Sequence, residues 1–256
     1  MTSCISQLLF SFYRHRPIRA DFSGGQISSD AGLLPLRAFD QRHGLTGELA
    51  QRLCDPRAEE RVRHSVLSLF RQRLYQIIAG YEDANDADRL RHDPAFQILA
   101  DQPLGEALGS QPTLSRWENS PSPRELLQLQ DALLDWFVKI CGKQVRKRGE
   151  ILLDVDSTDD PTHGQQQLSF FNGGYGQHMY HPLLIFERHS GCLLAARLRP
   201  GRVVSHARII PLLLRIVPRL QCEFPKVRIQ LRADAGFATP RSMNFASFSA
   251  CSTPSA

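Results

Sequence analysis

The sequence lacks several features that would assign it to a familiar class. Its six cysteines are scattered and include no CxxC pair, so neither a disulfide framework nor a zinc knuckle is indicated, and we expect reduced thiols, mostly in the core. Apolar runs fall far short of the roughly 20 residues that span a bilayer. The N-terminus lacks the pattern of an export signal. These absences predict a cytoplasmic protein that has no membrane partner.

Composition and charge set broad limits on what remains. The chain has 256 residues, of which 42% are apolar and 22% charged, which is ordinary for one large or two medium globular domains. Its net charge is +5, and residues 205–256, with seven basic and two acidic side chains, account for the whole excess. A basic surface attracts polyanions such as nucleic acid, but charge alone is a weak signal.

The first part of the chain has helical patterns. An amphipathic helix is predicted over residues 59–79, with its arginines largely on the other face. Its apolar residues at helical spacing are Val62, Val66, Leu69, Phe70, Ile77 and Ile78. A second helix is predicted from Ser122, which forms a capping box with Glu125, to Gly142. The basic segment 143–149 then reads equally as a solvated junction or a phosphate contact. We therefore predict a mainly helical region over residues 1–149.

Strand patterns begin at Glu150. The run 150–156 predicts a buried strand, and two apolar runs joined by residues 188–191 predict a β-hairpin. A helix is predicted from Ser205, which could cap it, unless Pro211 delays its start or kinks it. Alternation over residues 227–232 predicts a last strand. The order β-β-β-α-β gives an α/β fold class, and its helical crossover allows the first and fourth strands to pair in parallel.

Aspartates follow two of these strands. Asp156 ends the first strand and Asp234 ends the fourth, so the two carboxylates should meet at one edge of the sheet, where ligands gather in folds of this kind. Such a pair would form half of a magnesium site, because this hard cation prefers oxygen ligands. Asp154, on the same strand face as Asp156, could support the metal indirectly, by holding a ligand rather than binding the ion.

Other polar groups favour structural interpretations. Asp159 and Asp160 read as turn residues before Pro161, and the acidic segment 82–88 reads as a solvated turn. The glycine-rich segment 172–179 fails the GxGxxG pattern of dinucleotide sites. For His178 and His181 we favour surface or hydrogen-bonded roles.

Five ordered motifs, spread over residues from about 15 to 240, resemble the bacterial insertion-sequence transposases of the family called transposase DDE group 1: FSGGQISSDAGLLPLRAFDQRHGL, RVRHSVLSLFRQRLYQIIAGYEDANDADRLRHDP, QPTLSRWEN, LDVDSTDDPTHGQQ and LRADAGF.

This resemblance implies an RNase H-like core, here over residues 150–240, that cuts and joins transposon ends with Mg²⁺, or Mn²⁺ as a substitute, and three acids. It assigns the first acid to Asp156, followed by Ser157 and Thr158, and the second to Asp234. Alanine at position 235 departs from the usual serine. The resemblance also implies that the helical region 1–149 binds transposon-end DNA, although no DNA-binding residue is assigned.

The third acid of the family, a glutamate, lies well beyond the fourth strand, but residues 235–256 contain no Asp or Glu. The segment 241–256 is rich in Ser and Ala and reads as a non-family tail. We therefore expect a C-terminally truncated transposase with an incomplete sheet and no cleavage activity.

Two functions stay open on the sequence alone. The first is a metal-dependent transposase, and the second is a non-catalytic remnant that binds DNA or dimerises. An unrelated RNase H-like nuclease is disfavoured by the N-terminal motifs. Either of the first two would act on double-stranded DNA with terminal inverted repeats, as a possible homodimer, in the bacterial cytoplasm at the nucleoid.

Overall fold

The computed structural model describes residues 7–21, 28–58, 60 and 62–238. These residues fall into two compact units that divide between Leu129 and Gln130. The Ser/Ala-rich segment 241–256 lies outside the described residues. The predicted regions 1–149 and 150–240, as functional parts, stay predictions.

The first unit opens with an antiparallel hairpin that the sequence did not predict, formed by β1 (Gln7–Tyr13) and β2 (Arg16–Asp21). Helices follow, in agreement with the predicted helical region: α1 (Leu34–His43), α2 (Leu45–Ala50), α3 (Val66–Ile78), α4 (Ala87–Leu90), α5 (Pro94–Leu99) and α6 (Gln111–Glu118). The predicted acidic turn is an Asp83-capped 3-10 turn at Ala84–Asp86 that leads into α4.

Helix α3 is shorter than predicted and buries a different face. It begins at Val66 rather than near residue 59, because the Ser65 hydroxyl accepts a hydrogen bond from the Ser68 amide and caps the helix there. Ile77 and Ile78, predicted for the apolar face, are each 48% exposed. The buried positions of α3 instead include polar side chains, namely Arg71, Gln72 and Gln76.

An ion cluster explains why Arg71 is buried. Arg37 donates from one nitrogen to both oxygens of Asp101, at 2.7 and 2.8 Å, and Arg71 also pairs with Asp101. Asp40 lies 3.5 Å from Arg37 and 3.4 Å from Arg71, and accepts from both the amide and the hydroxyl of Thr46. The buried Asp40 and the exposed Asp101 therefore balance the positive charges of Arg37 and Arg71, which makes the burial of the two arginines tolerable.

Helix α7 is longer than predicted and spans Pro123–Arg148. Its predicted capping box is confirmed, since Ser122 donates to Glu125 and the Glu125 amide donates back to the Ser122 hydroxyl. The helix continues through Gly142, where an added Cβ would lie 3.7 Å from the ring of Phe224. The basic segment is therefore the last turns of α7, not a junction, and Gly149 in the left-handed conformation follows the helix.

The second unit is built on a four-stranded mixed sheet. Its strands are β3 (Glu150–Ser157), β7 (Leu183–Glu187), β8 (Cys192–Arg197) and β9 (Arg228–Ala233) in the order β8-β7-β3-β9. Strand β3 pairs with β7 antiparallel and with β9 in parallel, and helix α8 (Ile209–Glu223) precedes β9. The predicted β-β-β-α-β order, the hairpin and the parallel pairing of the first and fourth strands are confirmed.

A second, three-stranded sheet was not predicted. It is inserted between β3 and β7 and consists of β4 (Asp160–Pro161), β5 (Phe170–Asn172) and β6 (Gln177–Tyr180) in the order β4-β6-β5. Asp160 and Pro161 thus form a short strand rather than the predicted turn. Helix α8 begins late, as predicted from Pro211, but at Ile209 after Arg208 and not at a Ser205 cap.

The core of the second unit lies between one face of the four-stranded sheet and helices α7 and α8. The strands contribute Ile151, Leu153, Val155, Leu183 and Ile185, and the helices contribute Phe137, Leu213, Leu220 and their neighbours. The cysteines are less buried than predicted, since Cys54 and Cys222 are exposed and Cys141 and Cys192 are half-buried. No helix among the described residues is long and apolar enough to cross a membrane.

Candidate active site

Strand β3 presents its acids on the face away from the core. Ile151, Leu153 and Val155 are buried, and the alternate positions carry Asp154, which is half-buried, and Asp156, which is exposed. This alternation follows from the two-residue period of a strand. Because the apolar residues pack against the helices, the acids at the alternate positions must lie on the opposite face of the sheet.

The register with β9 brings a second acid to the same edge. The partners across the parallel pair are Glu150 and Arg228, Leu152 and Gln230, and Asp154 and Arg232, and the last pair is Val155 with Ala233. Asp156 is the next residue of β3, and Asp234 directly follows the end of β9. Neighbouring strands lie about 5 Å apart, so the two residues lie at the same end of this strand pair.

Acid–arginine pairs line this face of the β3–β9 pair up to its carboxyl end, where they are replaced by two acids. Glu150 lies 3.4 Å from Arg228, and both oxygens of Asp154 accept from Arg232 at 2.6 Å. The pairing of the two strands ends at Val155 and Ala233, and the next residue on each side is an acid, Asp156 or Asp234. Like charges close together repel each other, so a cation bound by both carboxylates would reduce their repulsion.

Neither of these two acids is neutralised within the described residues. Asp156 accepts a hydrogen bond from the amide of Ser157 at 2.8 Å, and no ion pair involves Asp156 or Asp234 among residues 7–238 as described. Both residues are exposed. Asp154 differs, since Arg232 holds both of its oxygens and Arg188 lies 3.9 Å away.

The donor set fits a hard divalent cation only in part. Two exposed carboxylates from adjacent strands supply the oxygen ligands that Mg²⁺ prefers, and this ion usually keeps several waters. However, no group of three or more His, Cys, Asp or Glu side chains suited to a metal occurs in the described part of the chain. A metal site formed by Asp156 and Asp234 therefore stays a prediction, and it would have two carboxylate ligands from the described residues.

The backbone after β9 turns sharply beside Asp234. Residues Ala235–Phe237 form a 3-10 turn, and Phe237 is buried in the core. An added Cβ at Gly236 would lie 3.2 Å from the Asp234 carboxylate and 3.4 Å from Ser205 Cβ. His206 Nδ1 lies 3.3 Å from the Gly236 carbonyl oxygen. Sequence patterns gave no sign of these contacts, because Ser205 and His206 are about 30 residues away along the chain.

Other sequence candidates lie in structural roles. Asp159 accepts from the Gln177 amide at 2.7 Å, and His178 is exposed on β6 beside Phe171. His181 is 3% exposed and its Nδ1 lies 2.9 Å from the Val203 carbonyl oxygen. These placements agree with the surface or hydrogen-bonded roles favoured for the histidines.

Two arginines of α3 are held by other groups of the first unit. Arg71 is held in the ion cluster, and Arg73 bonds Glu118 and the carbonyl oxygen of Glu82. Arg63, which precedes the helix, is exposed, and Arg61 lies outside the described residues. Because Arg71 and Arg73 are both engaged within the protein, they give no support for a DNA contact by α3.

Comparison with known proteins identifies the family. The family model described as "Transposase DDE domain group 1" matches residues 10–252, and the chain belongs to this family. The match covers both compact units and extends into the Ser/Ala-rich segment. No curated protein and no solved structure matches the chain. Membership supports a transposase function, and thereby DNA as a partner.

Proposed function

We propose that the chain is a DDE transposase that cuts and joins insertion-sequence ends by metal-dependent phosphoryl transfer, with Asp156 and Asp234 as its metal ligands. The main support for this proposal is that two acids, Asp156 and Asp234, directly follow the last pair of the β3–β9 ladder. The β-β-β-α-β order and the parallel first and fourth strands support an RNase H-like core, in which ligands gather at the carboxyl ends of strands.

The side chains of this site would divide their roles. Asp156 and Asp234 would hold Mg²⁺, which when bound activates a water and stabilises the leaving oxygen of the phosphodiester. Asp154, paired with Arg232, would stay out of the metal shell and keep the two strands in register. Ser157 donates its backbone amide to Asp156 and so orients one ligand oxygen.

Metal binding tests this assignment directly. We expect Asp156→Asn and Asp234→Asn each to weaken Mn²⁺ binding at least tenfold, measured by electron paramagnetic resonance of the free ion, because each removes one of two charged ligands. Asp160→Asn is a matched control, since Asp160 is an exposed acid on the strand that follows β3. Unchanged Mn²⁺ affinity in both site variants would refute the assignment.

We further propose that the 256-residue polypeptide binds repeat DNA but does not cleave it alone. Residues 235–256 supply no Asp or Glu, and two carboxylates leave a second metal position underliganded. A deficit of about 4 kcal/mol in transition-state stabilisation would slow the reaction about a thousandfold. Mg²⁺-dependent nicking of repeat-end DNA that Asp156→Ala abolishes would contradict this and show that another acid completes the site.

The alternative function, a DNA-binding or dimerising remnant without catalysis, shares the DNA partner but does not need the metal. Both functions predict preference for inverted-repeat DNA, at the nucleoid and with a possible homodimer on the DNA. Affinity should fall with salt with a logarithmic slope of roughly 0.9 per neutralised phosphate. Equal affinity for repeat and random duplex across a salt series would exclude end recognition, and sedimentation on repeat DNA would measure the dimer.

A further inference from the structure

The segment between β8 and α8, residues 198–208, is here called the crossover loop. It has no strand or helix, apart from an isolated bridge between Pro200 and Tyr180. Polar contacts therefore have to hold it in place. Four hydrogen bonds come from one buried side chain, Arg199.

Arg199 is a buried arginine that bonds carbonyl oxygens. It is 3% exposed. Its Nη1 donates to the carbonyl oxygens of Ser205 and Ala207 at 2.7 and 2.8 Å, with Val204 at 3.4 Å, and its Nε donates to His181 at 2.7 Å. No ion pair links it to a carboxylate within the described ranges. Burial lowers the pKa of Arg199, and the planar fork can reach several carbonyls at once because its donors are fixed in one plane.

The near end of the crossover loop is pressed against the small sheet. An added Cβ at Gly201 would lie 2.0 Å from the Met179 carbonyl oxygen and 2.6 Å from that of Phe170, so only glycine fits there. The Asn172 side chain donates to the Gly201 carbonyl oxygen at 2.7 Å. This end of the loop has little room to move.

The far end of the crossover loop lies against the turn that follows Asp234. Ser205 is the neighbour that an added Cβ at Gly236 would contact at 3.4 Å, and His206 bonds the Gly236 carbonyl oxygen. The carbonyl of Ser205 is also one of those that Arg199 holds. A continuous set of contacts therefore connects Arg199 to the turn beside the second acid.

We propose that Arg199 is a positioning residue for the candidate metal site, which fixes the crossover loop and through it the turn that carries Asp234. This inference rests on the proposed function for its link to metal, but its structural part does not. An apolar side chain could fill the same space without the cost of burying a charge. The arginine therefore contributes something else, which is the set of hydrogen bonds that fixes the shape of the loop.

Arg199→Lys tests the proposal, because lysine keeps the charge but lacks the fork. In the 256-residue polypeptide we expect faster amide hydrogen exchange at residues 203–207 and 234–237, with exchange in β3 and β7 unchanged. We also expect about tenfold weaker Mn²⁺ binding, as is typical when the support of a ligand is lost. Arg197→Lys, the same change two residues earlier, should match the wild type in both measurements.

Wild-type exchange at 234–237 in Arg199→Lys would overturn the proposal. If Arg199→Lys does not fold, as judged by circular dichroism, His206→Ala replaces it, because it removes the bond from the crossover loop to the Gly236 carbonyl oxygen, and unchanged exchange at 234–237 in that variant would also overturn the proposal. If the wild type binds no Mn²⁺ through Asp156 and Asp234, the proposed function fails, and the exchange at 234–237 still decides the role of Arg199.

Discussion

The two units treat paired aspartates in opposite ways. In the first unit Asp40 and Asp101 both pair with Arg37 and Arg71, and Asp40 is 5% exposed whereas the Asp101 side chain is 40% exposed. In the second unit Asp156 and its strand neighbour Asp234 are exposed and have no ion pair among the described residues. What separates the two pairs is therefore counter-charge: the first pair is neutralised by arginines and serves the fold, whereas the second pair has no ion pair in the described part of the chain and is the one we propose for an external cation.

The largest expected effect is the loss of stability when the buried acid of the first unit, Asp40, is removed. Asp40→Ala should lower the free energy of unfolding by about 3 kcal/mol or more, because removing one member of a buried pair leaves the opposite charge uncompensated. Asp156→Ala should leave it unchanged or raise it slightly, since it relieves repulsion at an exposed site. Urea unfolding of the two variants and the wild type measures both. Equal destabilisation by the two substitutions would show that exposure and counter-charge do not separate the two classes of acid.

The candidate acids were predictable from sequence because their positions follow from short-range rules. Alternating apolar residues fix β3 and β9, and a helical crossover allows parallel pairing, so the ends of these strands, and with them Asp156 and Asp234, fall at one edge. The partner of Asp154 follows from the same register, since Arg232 lies two residues before Asp234. Whether the two acids bind a metal stays a prediction.

The wrong predictions share a different cause, which is that distant partners decided the outcome. Helix α3 buries Arg71 because Asp40 and Asp101 come from other helices or their ends, which no local pattern reveals. Helix α7 passes Gly142 because the Phe224 ring packs there, and tertiary contacts override the tendency of glycine to end a helix. The inserted sheet has strands of only two to four residues, too short for a periodic signal.

A smaller effect is expected for Asp154, which allows a paired and an unpaired acid of the same strand to be compared within the second unit. Asp154 lies on the same face as Asp156 but is held by Arg232, so we expect Asp154→Asn to change Mn²⁺ affinity less than about threefold. The Asp154 and Arg232 side chains are 20% and 56% exposed, so losing the pair should cost only about 0.5–1 kcal/mol of stability. Titration with Mn²⁺ and urea unfolding measure the two quantities. A loss of Mn²⁺ affinity as large as that of Asp156→Asn would make Asp154 a metal ligand.

The smallest expected effect concerns an acid that is compensated by hydrogen bonds rather than by charge. Glu125 accepts from the Ser122 hydroxyl and amide and from the Cys54 amide, at 2.6, 2.8 and 2.7 Å, and these bonds lower its pKa to about 2. A lowered pKa means that the stabilisation is present above the unfolded-state value near 4.5 and is lost as pH falls toward 2.

Glu125→Gln mimics the protonated side chain, so its melting temperature should lie below that of the wild type at pH 6, and the difference should shrink as pH falls from about 4.5 to about 2. Thermal unfolding followed by circular dichroism across this range measures the difference. Glu118→Gln serves as a comparison, because Glu118 pairs with Arg73 and has a different set of partners. A difference that stays constant with pH would mean that the carboxylate charge does not matter to the cap, and that hydrogen-bonding shape alone holds the start of α7.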